Sequence, residues 1–133
     1  MGDINEIINY RVKRSDEAFE DALILQKAGR YTSTVNRLYY SAFYAVSALL
    51  LKDGIYSKSH SGLKSKFNER VIKQNKVGAG EGEIYNELFE HRQDADYKDF
   101  VGFTKEEIDR LIEGTKKLIS EIKKLINDDA FTD

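Results

Sequence analysis

Apolar residues recur at three- and four-residue intervals through most of the chain and proline is absent, a combination that predicts helices rather than strands. In the first segment Ile4, Ile7, Ile8, Val12, Phe19, Ala22, Leu23 and Gln26 follow one stripe with small slips. Gly29 stands where a C-terminal cap would end it, so the first helix is expected over 4–28. The second, over 32–52, is apolar almost all round, as a helix packed against several neighbours must be, and Gly54 is placed to end it. Ser57 to Ser61 supply a turn and a cap for a third helix over 62–74. Gly78, Gly80 and Gly82 predict a mobile linker, after which a fourth helix resumes near Glu83 with Ile84, Leu88 and His91 or Arg92 on one side. Thr104 and Glu107 form a capping box for the last helix, whose stripe runs through Ile108, Leu111, Ile112, Thr115, Leu118, Ile119, Ile122, Leu125 and Ile126. Short connections favour antiparallel neighbours. The expectation is therefore an all-α fold, an up-and-down four-helix bundle with a short extra helix, forming one domain over 1–133.

Composition narrows the setting. A chain of 133 residues is long enough to enclose one core without staples. Hydrophobic residues make up 41% and charged residues 33%, too apolar for a disordered chain and too polar for a membrane protein. The longest nearly uncharged stretch, Leu38 to Leu51, is about 14 residues and falls well short of the ~20 that span a bilayer. Met1 to Tyr10 lacks the basic start and apolar run of a signal peptide. Without cysteine there is neither a disulfide nor a thiolate metal site, and the cytoplasm is the expected compartment. No metal and no cofactor is expected.

Three polar islands interrupt the apolar pattern. The first, Asn36 to Tyr44, puts Arg37, Tyr40 and Ser41 on the central helix, with Arg37 and Ser41 one turn apart. A buried guanidinium there would need a carboxylate partner, for which Asp96 is the candidate. The second, Lys58-Ser59-His60-Ser61-Gly62, places an imidazole at a helix start, where it serves either as an anchor or as a proton carrier with an unperturbed pKa of about 6.5. The third is His91 to Tyr97, with Arg92 and Asp96 one helical turn apart. Charge is also uneven. Between Ile55 and Gly80, six basic residues (Lys58, Lys64, Lys66, Arg70, Lys73, Lys76) face one acid, Glu69, which makes that stretch +5 in a chain of net −2. A solvated helix face or a patch for RNA phosphates or an acidic partner would look the same; aromatic residues do not interleave with these lysines.

Taken together, Asn36-Arg37-x-Tyr39-Tyr40-x-Ala42-Phe43, Ala48-Leu49-Leu50, Gly54, Lys58-Ser59-His60-Ser61-Gly62 with Phe67, and Arg92-x-x-Ala95-Asp96-Tyr97 resemble the short, stand-alone members of the HEPN domain family, over roughly residues 10 to 125. The resemblance implies a helical bundle that dimerises. It also implies either a metal-independent ribonuclease or the toxin half of a pair whose other half is a minimal nucleotidyltransferase. The ribonucleases of the family use an arginine followed, after a polar residue and spacers, by a histidine. Here Asp96, Tyr97, Lys98 and Asp99 stand four to seven places after Arg92, and Tyr44 occupies a position where relatives often carry histidine.

Cleavage of RNA without metal needs a base, an acid and a cation for the phosphate. Arg37 and Arg92 would supply the cation, His60 and His91 are the chain's two imidazoles, and Asp96 is held back as a base by any arginine beside it. The expected function is thus a partner-binding HEPN protein, a homodimer that engages a nucleotidyltransferase-type protein and takes a nucleotide or RNA at Arg37, Tyr40, His60, Arg92, Asp96 and Tyr97. Tyr97 would then be a candidate acceptor of a nucleotidyl group. The alternative is a ribonuclease toxin with a variant site built on Arg92, Asp96 and His60 or His91.

Overall fold

A computed structural model describes the backbone of residues 2–97 and 102–128, and the side chains of 3–93 and 102–128. Five α-helices account for most of it: α1 (Gly2–Lys27), α2 (Tyr31–Lys52), α3 (His60–Phe67), α4 (Ala79–Tyr97) and α5 (Lys105–Ile126). No strand occurs among the described residues. The all-α expectation holds, and the contacts give the direction of each helix. Arg11, Arg14 and Ser15 of α1 bond Ser47, Tyr44 and Ser41 of α2, so the two helices are antiparallel. Asp16 meets Lys123 and Gln26 meets Asp109, making α5 antiparallel to α1, while Ile84 against Gly114 and Glu87 against Arg110 make it antiparallel to α4. The long helices therefore run up, down, up, down, with α3 inserted between α2 and α4.

α2 lies at the centre, touching each of the other helices, with Leu38, Tyr39, Ala42, Val46 and Leu50 completely buried. Its tightest partner is α1. Ser15, Ala18 and Ala22 are buried on the inner side of α1, and Ser15 meets Ser41 of α2, where the two serines exchange bonds, each hydroxyl donating 2.7 Å to the other's carbonyl. Small side chains let the backbones approach, and reciprocal donation leaves neither buried hydroxyl unsatisfied. The expected α1 stripe is correct at Ile8 and Ala22, but Ile4 and Ile7 are exposed; the stripe slips because the buried face passes through the small residues Ser15 and Ala18.

The ends of the helices follow the local chemistry. Gly29 and Gly54 have φ of 74° and 77°, the left-handed conformation that ends α1 and α2. Ser59 accepts from the Gly62 amide at 2.9 Å and caps α3. The Thr104–Glu107 box caps α5 as expected. At the other end of α5, the Lys52 ammonium donates to the carbonyls of Leu125 and Ile126 at 3.1 and 2.6 Å, satisfying orphan acceptors where the helix dipole is negative.

Two expectations need correction. The third helix does not continue to Gln74 as an α-helix: after Phe67 it widens into a π turn over Asn68–Ile72, which turns Val71 inward. Asn68 and Asn86 then exchange side-chain amide bonds at 3.0 Å, tying that turn to α4. Nor is the glycine segment a linker, because α4 begins at Ala79 and includes Gly80 and Gly82. Gly82 is buried against Ile72, and a Cβ there would come within 2.9 Å of that side chain, so glycine serves close packing at this position. No helix among the described residues is long and apolar enough to cross a membrane.

Candidate functional site

One face of α2 presents Arg37, Tyr40 and Phe43, and α3 and α4 bring His60 and Arg92 to the same place. The Arg37 guanidinium lies 5.1 Å from the centre of the Tyr40 ring and the Arg92 guanidinium 5.7 Å from it, both inside the range of cation–π attraction. Arg92 also lies 5.4 Å from the ring of Tyr39. The His60 ring stacks on Phe43 at 4.4 Å and 14°, and meets the edge of Tyr40 at 6.0 Å. Two cations thus converge on one aromatic ring beside an imidazole.

The imidazole is anchored from below. Tyr39, fully buried, lies 2.7 Å through its Oη from His60 Nδ1. Burial pushes the Tyr39 phenol up to about 12, so it is protonated at neutral pH and its hydrogen needs an acceptor. The neighbouring Tyr85 hydroxyl forms no well-aligned bond among the described residues, and its interaction with Tyr39 is that of a donor, so His60 Nδ1 is the acceptor within reach. Burial, and secondarily the charge of Arg92, push the His60 pKa down, so the ring is neutral at pH 7. A neutral ring accepting at Nδ1 carries its hydrogen on Nε2.

The sequence-predicted residues divide into two groups. Arg37, Tyr40, His60 and Arg92 come together as expected. Asp96 and Tyr97 belong to the last turn of α4 but their side chains lie outside the described residues, as does the expected Arg37–Asp96 pair. Arg37 is half-buried rather than buried, and its Nε and Nη2 donate 3.1 and 2.9 Å to Asn36 Oδ1. Its position at the rim of α2 explains this: the interior of that helix is occupied by Leu38 and Tyr39.

Tyr39 and Phe43 belong to the site although the sequence marks them only as members of the family motif and not among the ligand-binding residues. The signal that could have found Tyr39 is its place three residues before Ala42 on the buried face, where a phenol must find a partner. His91 is elsewhere. It pairs with Glu87 at 3.2 Å, with its ring edge-on to Phe103 at 5.0 Å, and Glu87 is also gripped by Arg110 at 2.9 Å. The basic stretch after Ile55 forms a separate surface on α3 and the π turn, where Lys64 sits 5.3 Å over Phe89; the aromatic partner missing from the local sequence comes from α4. A cavity of about 310 Å³ near the end of α2, lined by Leu49, Lys52, Ile55, Arg70 and Leu125 among others, contains none of the predicted site residues. No cluster of three or more metal-binding side chains occurs among the described residues.

The arrangement defines an all-helical protein with a cationic, aromatic site at the junction of α2, α3 and α4. The sequence profile of the HEPN domain matches residues 8–125, and the chain belongs to that family. A "UPF0332 protein" of Thermotoga maritima is 41% identical over 128 residues, covering 96% of this chain and 97% of the relative. A protein of Methanocaldococcus jannaschii named "Putative toxin MJ0142" is 33% identical over 115 residues, 86% of this chain and 78% of its own length. A second protein of that organism, "Putative toxin MJ0605", is 28% identical over 126 residues, 95% of this chain and 93% of its own length.

Proposed function

We propose that this HEPN protein is the toxin-like member of a two-component pair, a homodimer that binds a nucleotide or RNA at the Arg37, Tyr40, His60, Arg92 cluster and engages a nucleotidyltransferase-type partner. The observation that carries the ligand is the convergence of two guanidiniums on the Tyr40 ring. Two guanidiniums beside one aromatic ring are the side chains that recognise an anionic group through charge-assisted hydrogen bonds. The exposed part of the ring offers a stacking surface to a base. Phosphate with a planar ring attached is the ligand class that uses both. The family and the toxin names of two relatives support a toxin-like protein of a partner-associated system; the dimer, the nucleotidyltransferase partner and Tyr97 as nucleotidyl acceptor are what the family resemblance implies.

Titration of the purified protein with AMP and with a short 5′-phosphorylated oligouridine, at low and high salt, tests this reading. Binding that weakens in Arg37→Ala and Arg92→Ala is expected; affinity equal in all three proteins refutes it. Co-expression with the product of the adjacent gene, followed by purification and intact mass, tests the partner and Tyr97 together.

A second reading, a metal-independent ribonuclease, is favoured by one observation: His60 and Arg92 flank the same ring, Tyr39. Incubation with total RNA in EDTA would show cleavage that is lost in Arg92→Ala and His60→Ala.

A further inference from the structure

The hydroxyl of Tyr39 is buried in the core, yet its oxygen lies against the imidazole of the site, that of His60. We propose that Tyr39 is the positioning residue of this site: its phenol fixes His60 as the Nε2-protonated tautomer, so that the imidazole presents a hydrogen-bond donor beside Arg92 and reads an anionic oxygen of the ligand. The inference deepens the nucleotide-binding reading and rests on it for the identity of the ligand, while the tautomer belongs to the free protein.

Three features of the structure carry it. The 2.7 Å Oη–Nδ1 distance is that of a well-formed bond, and the adjacent Tyr85 hydroxyl, which approaches Tyr39 as a donor without forming a well-aligned bond, leaves the phenol's hydrogen to His60. The ring cannot turn over freely: it is stacked on Phe43 at 14° and on Tyr39 at 23°, and Ser59 caps the helix on which His60 is the first residue. Burial, and after it the charge of Arg92, holds its protonation down, so the ring offers a neutral N–H rather than a charge. A neutral imidazole whose lone pair is already occupied cannot take a proton from a substrate hydroxyl through that nitrogen. It can donate through the other. The Nε2–H then stands in a cluster where two guanidiniums and the imidazole meet one ring, that of Tyr40.

The test uses full-length protein labelled with 15N-histidine. The chain has two histidines, so His60→Gln assigns the signals and His91 serves as an internal reference. At neutral pH the wild-type His60 ring should show hydrogen on Nε2 and a lone pair on Nδ1. Tyr39→Phe keeps the ring and its stacking and removes only the hydroxyl; the Nδ1 signal should move and the Nδ1-protonated form should become detectable. A wild-type ring protonated on Nδ1, or a Tyr39→Phe spectrum identical to wild type, overturns the proposal. Circular dichroism confirms that the variant is folded.

Ligand titrations with AMP form the second arm. Tyr39→Phe should weaken AMP binding by about tenfold, the worth of one well-aligned hydrogen bond. His60→Gln, whose side-chain amide reaches where Nε2–H does, should stay within about threefold of wild type, and His60→Ala should lose about tenfold or more. Equal weakening in the Gln and Ala variants overturns the donor role. Wild-type protein that binds no AMP refutes the nucleotide reading, and the NMR arm then still decides whether Tyr39 sets the tautomer.

Discussion

Replacing Arg37 by alanine separates two explanations of an arginine on a central helix. If the side chain were a buried member of a core ion pair that fixes helix register, its removal would leave an unpaired carboxylate and cost roughly 3–5 kcal/mol. The geometry gives a smaller figure. Arg37 is half-buried, donates to the side chain of the residue before it, and lies 5.1 Å from the Tyr40 ring. A cation–π contact at a partly exposed site is worth ~0.5–1 kcal/mol, and a neighbouring-residue hydrogen bond adds only a fraction of its ~1 kcal/mol because the two groups also meet in the unfolded chain. Relief of repulsion from Arg92 acts in the opposite direction. The net expected loss is therefore about 1 kcal/mol, or about 4 °C in Tm for a domain of this size. AMP affinity should fall roughly ten- to hundredfold, the range of a hydrogen bond to a charged group. Urea and thermal unfolding at one fixed protein concentration, paired with AMP titration by calorimetry, measure both numbers. A loss of 3 kcal/mol or more with unchanged affinity would show that Arg37 holds the core together and that the ligand site lies elsewhere.

Other positions give sharper tests of the fold. Gly114→Ala should destabilise although alanine is the better helix former by ~1 kcal/mol, because a Cβ there would stand 2.5 Å from Ile84 Cδ1; a double cycle with Ile84→Ala in urea should recover part of the loss. Thr104→Ala removes the capping box of α5 and should cost about 1 kcal/mol by the same assay. Arg110, ahead of the opposing burial and of His91, holds Glu87 below its usual carboxylate value, so that pair stabilises the fold above the ordinary glutamate range and loses its effect as pH falls through and below it. Acid unfolding curves of wild type and Arg110→Ala should therefore converge at low pH and separate above about pH 5. Lys52→Met should raise amide exchange in the last turn of α5, where Lys52 satisfies the terminal carbonyls.

The elements most legible in the sequence were those whose packing is one-sided. α5 carries a continuous apolar stripe opposite lysines and glutamates, so period and cap agree on its limits. α2, apolar all round, revealed that it is central but not which of its tyrosines is buried. Tyr39 is and Tyr40 is only partly so, a difference set by α4 supplying Tyr85 and Phe89 to one side. Glycine misled at the start of α4 because its helix penalty is about 1 kcal/mol, a small cost beside the overlap a side chain at Gly82 would create with Ile72. The site was legible as a set of residue types and not as an assembly. Arg37 and Tyr40 are within one helical turn of each other, but the positions of His60 and Arg92 depend on how α3 and α4 dock. The hydroxyl beneath His60 belongs to a residue that periodicity assigns to the core.

The same geometry decides how the nuclease question should be approached. Cleavage of RNA without metal needs a cation for the phosphate, an acid for the leaving oxygen and a base for the 2′-hydroxyl. Arg37 and Arg92 provide the cation, and a His60 ring with hydrogen on Nε2 provides a donor, weak because the ring is neutral. The base is the demanding role: the lone pair of His60 points into the protein toward Tyr39, and His91 is committed to Glu87 on another face. That leaves the role to Asp96, one turn after Arg92 on α4, whose side chain lies outside the described residues. A site rich in donors binds an anionic oxygen readily and abstracts a proton poorly. Tyr39→Phe therefore has opposite consequences for the two activities: by freeing Nδ1 it should weaken AMP binding, yet any residual RNA cleavage should rise, because a lone pair becomes available where none was. Cleavage falling in parallel with binding would show instead that His60 acts through its donated hydrogen in both.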